Sequence, residues 1–75
     1  MNKQRRKELA RAIALIEEAR EILEAVKDEE QEALDNLPES LQQSERGETM
    51  EGYIYTMDEM LETLDTDELQ EIVEG

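Results

Sequence analysis

Seventy-five residues carry 22 Asp and Glu against 8 Lys and Arg, a formal charge of −14, with no Cys, no His and only two aromatic side chains, both Tyr. Without thiols or imidazoles there is no disulfide and no thiolate or imidazole metal ligand, and the negative field opposes direct binding to nucleic acid or to an anionic membrane surface. A chain this short buries only about 60% of its unfolded surface, so an aliphatic core shared between copies is expected, most simply in a homodimer.

The chain opens on a basic lead-in, Lys3, Arg5, Arg6 and Lys7, behind Asn2 as a candidate N-cap. Cations at a helix N-terminus oppose the macrodipole, so carboxylates are expected nearby to relieve them, those at the end of the second helix first. Arg11, Glu17, Glu18 and Arg20 interrupt the apolar residues that follow, which reads against a secretory signal. No apolar run approaches the ~20 residues of a membrane span. A cytoplasmic protein is expected, and the lack of Cys fits a reducing compartment.

The spacing predicts one long helix over about residues 3–35. Leu9, Ile16, Leu23 and Leu37 form one heptad row, interrupted by Glu30, and Ala12, Ala19, Val26 and Ala33 form a second row offset by three. Together they read as a coiled-coil seam. Ile13 then lies on one flank of it and Leu15 and Ile22 on the other, so the helix is expected to face more than one neighbour. Pro38 disfavours helix at Leu37, which ends the element near Asn36.

Residues 36–46 read as a linker with a helical turn or two after Pro38; Gly47 suits either a loop or a close-packing position within a helix. The second helix is predicted over about 47–74, on the row Met50, Ile54, Met57, Leu61 and Leu64. Asp65 with Glu68 three residues on has a capping-box pattern, so a break is expected at 65–67 and a restart over Asp67–Glu74. Two heptad helices on a short linker make an all-α antiparallel hairpin, and two hairpins dimerise into a four-helix bundle. Leu9, Ile13, Leu15, Ile16, Ile22, Leu23, Val26, Ile54, Met57 and Leu61 are expected at the oligomer interface.

The charge is uneven. Residues 1–27 hold seven Lys/Arg and five Glu, for +2; residues 28–75 hold one Arg and seventeen Asp/Glu, for −16. Carboxylates at helical spacing, such as Asp58, Glu62 and Asp65 or Glu17, Glu21 and Glu24, can hold metals or move protons. A di-iron bundle also needs His, and Asp65–Thr66–Asp67 lacks the Gly of a calcium loop. These groups therefore read first as a solvated face, with no metal, no cofactor and no catalytic set. Glu48, Glu51, Tyr53, Tyr55, Asp58 and Glu62 are the candidate partner-binding residues, since a dense acidic face on a rigid rod can imitate the phosphates of DNA. Met50 and Met57 read as core, and Met60 lies off the seam. Lys3, Arg5, Arg6, Lys7 and Arg11 form the one basic patch and are the candidate anion-binding residues.

The stretch Asn36–Leu37–Pro38–Glu39–Ser40–Leu41–Gln42–Gln43–Ser44–Glu45–Arg46–Gly47–Glu48–Thr49–Met50–Glu51 resembles a segment of small acidic helical-hairpin proteins of phages and prophages of Gram-positive bacteria. The resemblance spans about residues 8–65, and its specific part is the linker. This chain departs from the pattern at Gly52–Tyr53–Ile54–Tyr55. The resemblance implies a setting, a phage protein in the host cell cytoplasm, more than an activity. In that setting the acidic face favours a non-enzymatic accessory protein that modulates or inhibits a basic, nucleic-acid-binding host protein as a DNA mimic. Two alternatives stand beside it: a structural self-assembly module with no other chemistry, and an oligomeric sponge for an anionic nucleotide held by the basic N-terminus.

Overall fold

The computed structural model describes residues 1–75 as four helices and no strand: α1 (Lys3–Asp35), α2 (Glu39–Gln42), α3 (Glu45–Thr63) and α4 (Asp67–Glu74). The long helix runs over the predicted residues. Asn2 caps it, its side-chain oxygen accepting from the Arg5 N–H at 2.8 Å. After Asp35 the chain turns back, and α3 and α4 lie along α1 one after the other, giving a rod of 58 × 14 × 13 Å. Lys27 meets Asp58, and Glu17 meets Gln70, so the two arms run antiparallel.

Only one of the two predicted α1 rows faces the second arm. Leu9, Ile16, Leu23 and Leu37 are half-buried there, as expected. The row beside it is Arg6, Ile13, Arg20, Lys27 and Leu34, not Ala12, Ala19, Val26 and Ala33. Ile13 and Leu34 are buried, whereas Ala19, Val26 and Ala33 are exposed. Both rows lie next to the Leu/Ile row on the helix surface, at offsets of four and three. The row that is covered contains Arg6, Arg20 and Lys27; the Lys27 ammonium reaches Asp58 at the rim, while the Nε atoms of Arg6 and Arg20 are enclosed without a hydrogen-bond partner. On the second arm Met50, Ile54, Met57, Leu61 and Leu64 face inward as predicted, with Leu69 and Val73 continuing the row in α4.

The turn is tighter than the sequence suggests. The linker is two residues shorter than expected, because α3 starts at Glu45, and within it α2 is a single turn started by Pro38. Gln42 ties this turn to the end of α1: its side-chain amide donates to the carbonyl of Leu37 (3.0 Å) in the turn and to that of Asp35 (3.3 Å), one of the last carbonyls of α1, which have no partner within the helix. Gly47 lies in the first turn of α3 and is buried against α2. A Cβ there would collide with the Gln42 backbone, 2.6 Å from its carbonyl carbon and 2.8 Å from its Cα, while one at Gly52 would meet nothing within 4 Å. Gly47→Ala is therefore expected to destabilise the fold by about 1–3 kcal/mol, and Gly52→Ala to stabilise it by about 0.5–1 kcal/mol. Urea midpoints followed by circular dichroism check both.

The break in the second arm falls one residue earlier than predicted, at Leu64–Thr66. The expected capping box does not form; Asp65 instead accepts from the Asp67 N–H at 2.9 Å, a local turn that competes with helix continuation. Thr66 is the most buried polar residue and is held to α1 through Glu17, which accepts from the Thr66 hydroxyl (3.4 Å) and from the Gln70 amide (3.0 Å).

The apolar interior is thin. Ile13, Leu34 and Leu61 are the buried hydrophobic side chains, each 7% exposed, and no side chain is fully enclosed. The chain exposes 5927 Å², where a compact folded monomer of its mass exposes about 4,700 Å². No helix is long and apolar enough to cross a membrane.

Candidate functional site

The two flanks of the hairpin seam have opposite character. On one flank the groove between α1 and α3 has Lys27, Asp28, Gln31, Glu51, Tyr55 and Asp58 around Leu34 and Ile54. Further along, where α1 meets the break and α4, the lining is Glu17, Arg20, Glu21, Glu24, Asp67 and Gln70. On the other flank, Ala19, Ile22, Leu23, Val26, Met60 and Leu64 form a wholly apolar groove. Val26, Glu29, Glu30, Tyr53, Thr56 and Met57 extend it toward the turn. The rod is two-faced.

This geometry divides the candidate partner-binding residues. Glu51, Tyr55 and Asp58 share the acidic groove. Glu48 precedes Glu51 by three residues and Glu62 follows Asp58 by four, so both extend the same side of α3, and both are exposed. Tyr53 does not belong with them. Two helical positions rotate it by about 200° from Tyr55, and it lies beside Val26 and Met57 on the apolar flank. The Tyr pair is therefore not one binding feature.

The residues expected at an oligomer interface divide as well. Ile13 and Leu61 are buried, and Leu9, Ile16, Leu23, Ile54 and Met57 half-buried, inside the hairpin itself. Leu15, Ile22 and Val26 remain 56%, 60% and 46% exposed. The basic patch is likewise uneven. Lys3, Arg5, Lys7 and Arg11 are exposed, while Arg6 is half-buried with its Nε enclosed and lacking a hydrogen-bond partner. Arg11 approaches Glu8 at 3.9 Å, but Lys3, Arg5, Arg6 and Lys7 make no ion pair. The acidic end of the second arm does not supply the expected relief: no carboxylate of α4 pairs with these cations.

The acidic flank holds one cross-arm ion pair. The Lys27 ammonium donates to Asp58 at 3.0 Å. The hydrogen bond to Asp58 holds the lysine above its ordinary pKa of 10.5; the charges of Asp58, Asp28 and Glu24 act the same way, against partial desolvation. A raised folded-state pKa means that the pair's contribution is complete below the unfolded value and is lost as pH rises through the folded one. Lys27→Met is therefore expected to lower the melting temperature at neutral pH, and the gap to wild type should close above pH 10.5. Thermal melts at a series of pH values test this. Elsewhere no cluster of three or more carboxylates is arranged to hold a metal ion.

Lys27, Thr66 and Gln70 carry the cross-arm polar contacts and Gln42 the contact that closes the turn, and the hydrophobic pattern does not mark them. The one signal is spacing: Arg6, Ile13, Arg20, Lys27 and Leu34 recur every seven residues, but three of that row's five members are charged. Comparisons with protein-family models, with characterised proteins and with solved structures return no match.

Proposed function

We propose that the chain is a non-enzymatic protein-binding module, a homodimer of two hairpins closed into a four-helix bundle, that offers its acidic flank to the basic cleft of a nucleic-acid-binding protein. The observation that carries this reading is the linear array of carboxylates. Glu17, Glu21, Glu24 and Asp28 on α1 and Glu48, Glu51, Asp58 and Glu62 on α3 are all exposed. At 1.5 Å per residue they cover roughly 30 Å of rod, or about one carboxylate per 4 Å. A nucleic acid strand carries one phosphate per ≈ 3.4 Å. The match in charge spacing, on two rigid helices rather than a flexible tail, supports mimicry over simple solubilisation. Together with the resemblance to small acidic phage proteins, this spacing supports reading the chain as an inhibitor or modulator that acts in the host cell cytoplasm.

The test is a pull-down of tagged protein from host lysate at low and high salt, read by mass spectrometry. Retention of a nucleic-acid-binding protein at low salt, displaced by salt or by DNA, is the expected result. Return of the chain alone at both salts defeats mimicry and leaves self-assembly. The sponge reading draws on one observation, the lack of ion pairs at Lys3, Arg5, Arg6 and Lys7. It requires that Arg5→Ala with Arg6→Ala abolish binding of an anionic nucleotide in calorimetry.

A further inference from the structure

We infer that the apolar flank is the seat of a second copy of this chain, docked so that the two α1 helices run antiparallel. The inference deepens the dimeric part of the reading above and rests on it for stoichiometry alone; the acidic flank takes no part. Leu15, Ala19, Ile22 and Val26 step by four, three and four along α1, a heptad seam that nothing inside the chain covers. Tyr53 and Met60 continue it on α3, 58% and 52% exposed. Scattered exposed hydrophobics need no explanation, but a continuous stripe of them does.

Three further observations fit a second copy. The threonines that share the α3 side of this flank at seven-residue spacing are already satisfied: Thr49 donates to the Glu45 carbonyl (2.9 Å), Thr56 to Gly52 (3.0 Å) and Thr63 to Met60 (2.7 Å). Their hydroxyls need no water, so burying them carries little penalty. The chain also exposes about 1,200 Å² more than a compact monomer of its mass, the excess of a two-layer rod that a second copy would reduce.

The charges select the orientation. The unpaired cations Lys3, Arg5 and Lys7 and the exposed Arg11 occupy one end of α1, while Glu29, Glu32 and Asp35 occupy the other. Antiparallel α1 helices bring the basic end of each copy beside the acidic end of the other; parallel ones stack like on like. The second copy thus supplies the carboxylates that the N-terminal helix dipole calls for. Small side chains at Ala12, Ala19 and Ala33 allow close approach.

Size-exclusion chromatography with light scattering, at a series of concentrations, tests the assembly. The expected mass is twice 8.7 kDa. Ile22→Glu introduces a carboxylate from each copy into the seam and is expected to weaken the dimer at least ~100-fold, with the helical circular dichroism signal retained because Ile22 is exposed in the single hairpin. Glu21→Ala, on the other flank, should leave the dimer intact. Under oxidation, Ile22→Cys should form an intermolecular disulfide and Leu15→Cys should not, since antiparallel helices centred near Ile22 hold the two copies of residue 15 well apart. A wild-type monomer at every concentration overturns both the inference and the dimeric reading. A dimer indifferent to Ile22→Glu, or one cross-linked through Leu15→Cys but not Ile22→Cys, overturns the inference and leaves the dimeric reading standing.

Discussion

Leu61→Ala is expected to remove about 2–5 kcal/mol of stability, the usual loss for truncating a buried leucine. The magnitude matters because so little else holds the hairpin. A domain of this size is stable by roughly 4–11 kcal/mol, and its buried apolar side chains are Ile13, Leu34 and Leu61. These three are spread along the rod. Leu34 sits near the turn, beside Ile54 in the groove that also holds Lys27 and Asp58. Leu61 lies between the Lys27–Asp58 pair and the break at Leu64–Thr66, and Ile13 is on the half of α1 that meets α4. None can be replaced by relaxation of a thick surrounding core, so each cavity persists. Urea denaturation followed by circular dichroism, at one fixed protein concentration, should show the midpoint of Leu61→Ala collapsing toward zero denaturant. Leu15→Ala, which removes a side chain 56% exposed in the hairpin, should change the stability of the dilute chain by no more than about 0.5 kcal/mol. Equal losses at the two sites would mean that burial within the hairpin is not what stabilises it.

Neutralising the acidic flank is expected to have the largest effect on binding. Glu48→Gln, Glu51→Gln, Asp58→Asn and Glu62→Gln together take the formal charge from −14 to −10 while preserving side-chain shape. A mimic would lose on the order of 100-fold or more in affinity for its basic partner at low salt, and its salt dependence would flatten, because attraction between opposed charged surfaces is the term removed. The fold should survive. Three of the four changes relieve like-charge repulsion on an exposed surface, and Asp58→Asn weakens only the contact to Lys27, whose pair is partly exposed at 26% and 56%. Binding curves against the captured partner at two salt concentrations, with melting temperatures alongside, separate loss of recognition from loss of structure. Unchanged affinity in a folded variant would rule out the acidic flank as the binding surface. A sponge and a bare assembly module would both be indifferent to these four changes, whereas Arg5→Ala with Arg6→Ala would disable only the sponge.

Sequence alone determines the helices. Asn2, the run of Ala, Leu, Glu and Arg, and the stop at Asn36–Leu37–Pro38 set α1 at Lys3–Asp35, because caps, propensity and proline geometry act over a few neighbouring residues. The inward row of α3 is equally legible, since Met50, Ile54, Met57, Leu61 and Leu64 form its longest apolar heptad row. Only the tertiary structure decides which flank of α1 is covered. Leu9, Ile16 and Leu23 can pair with the row on either side, and hydrophobicity favours the wrong one: Ala19 and Val26 over Arg20 and Lys27. The second arm reverses that choice by burying Ile13 and Leu34 on the same row as those cations, with the contacts Lys27–Asp58 and Glu17–Gln70 made beside them between residues 31 and 53 positions apart. The same choice leaves Ile22 and Val26 outside and separates Tyr53 from Tyr55. Periodicity fixes the spacing of side chains around a helix, but the rotation of that helix against its neighbour is set by which long-range apolar and polar partners can be satisfied together, and no local pattern encodes that.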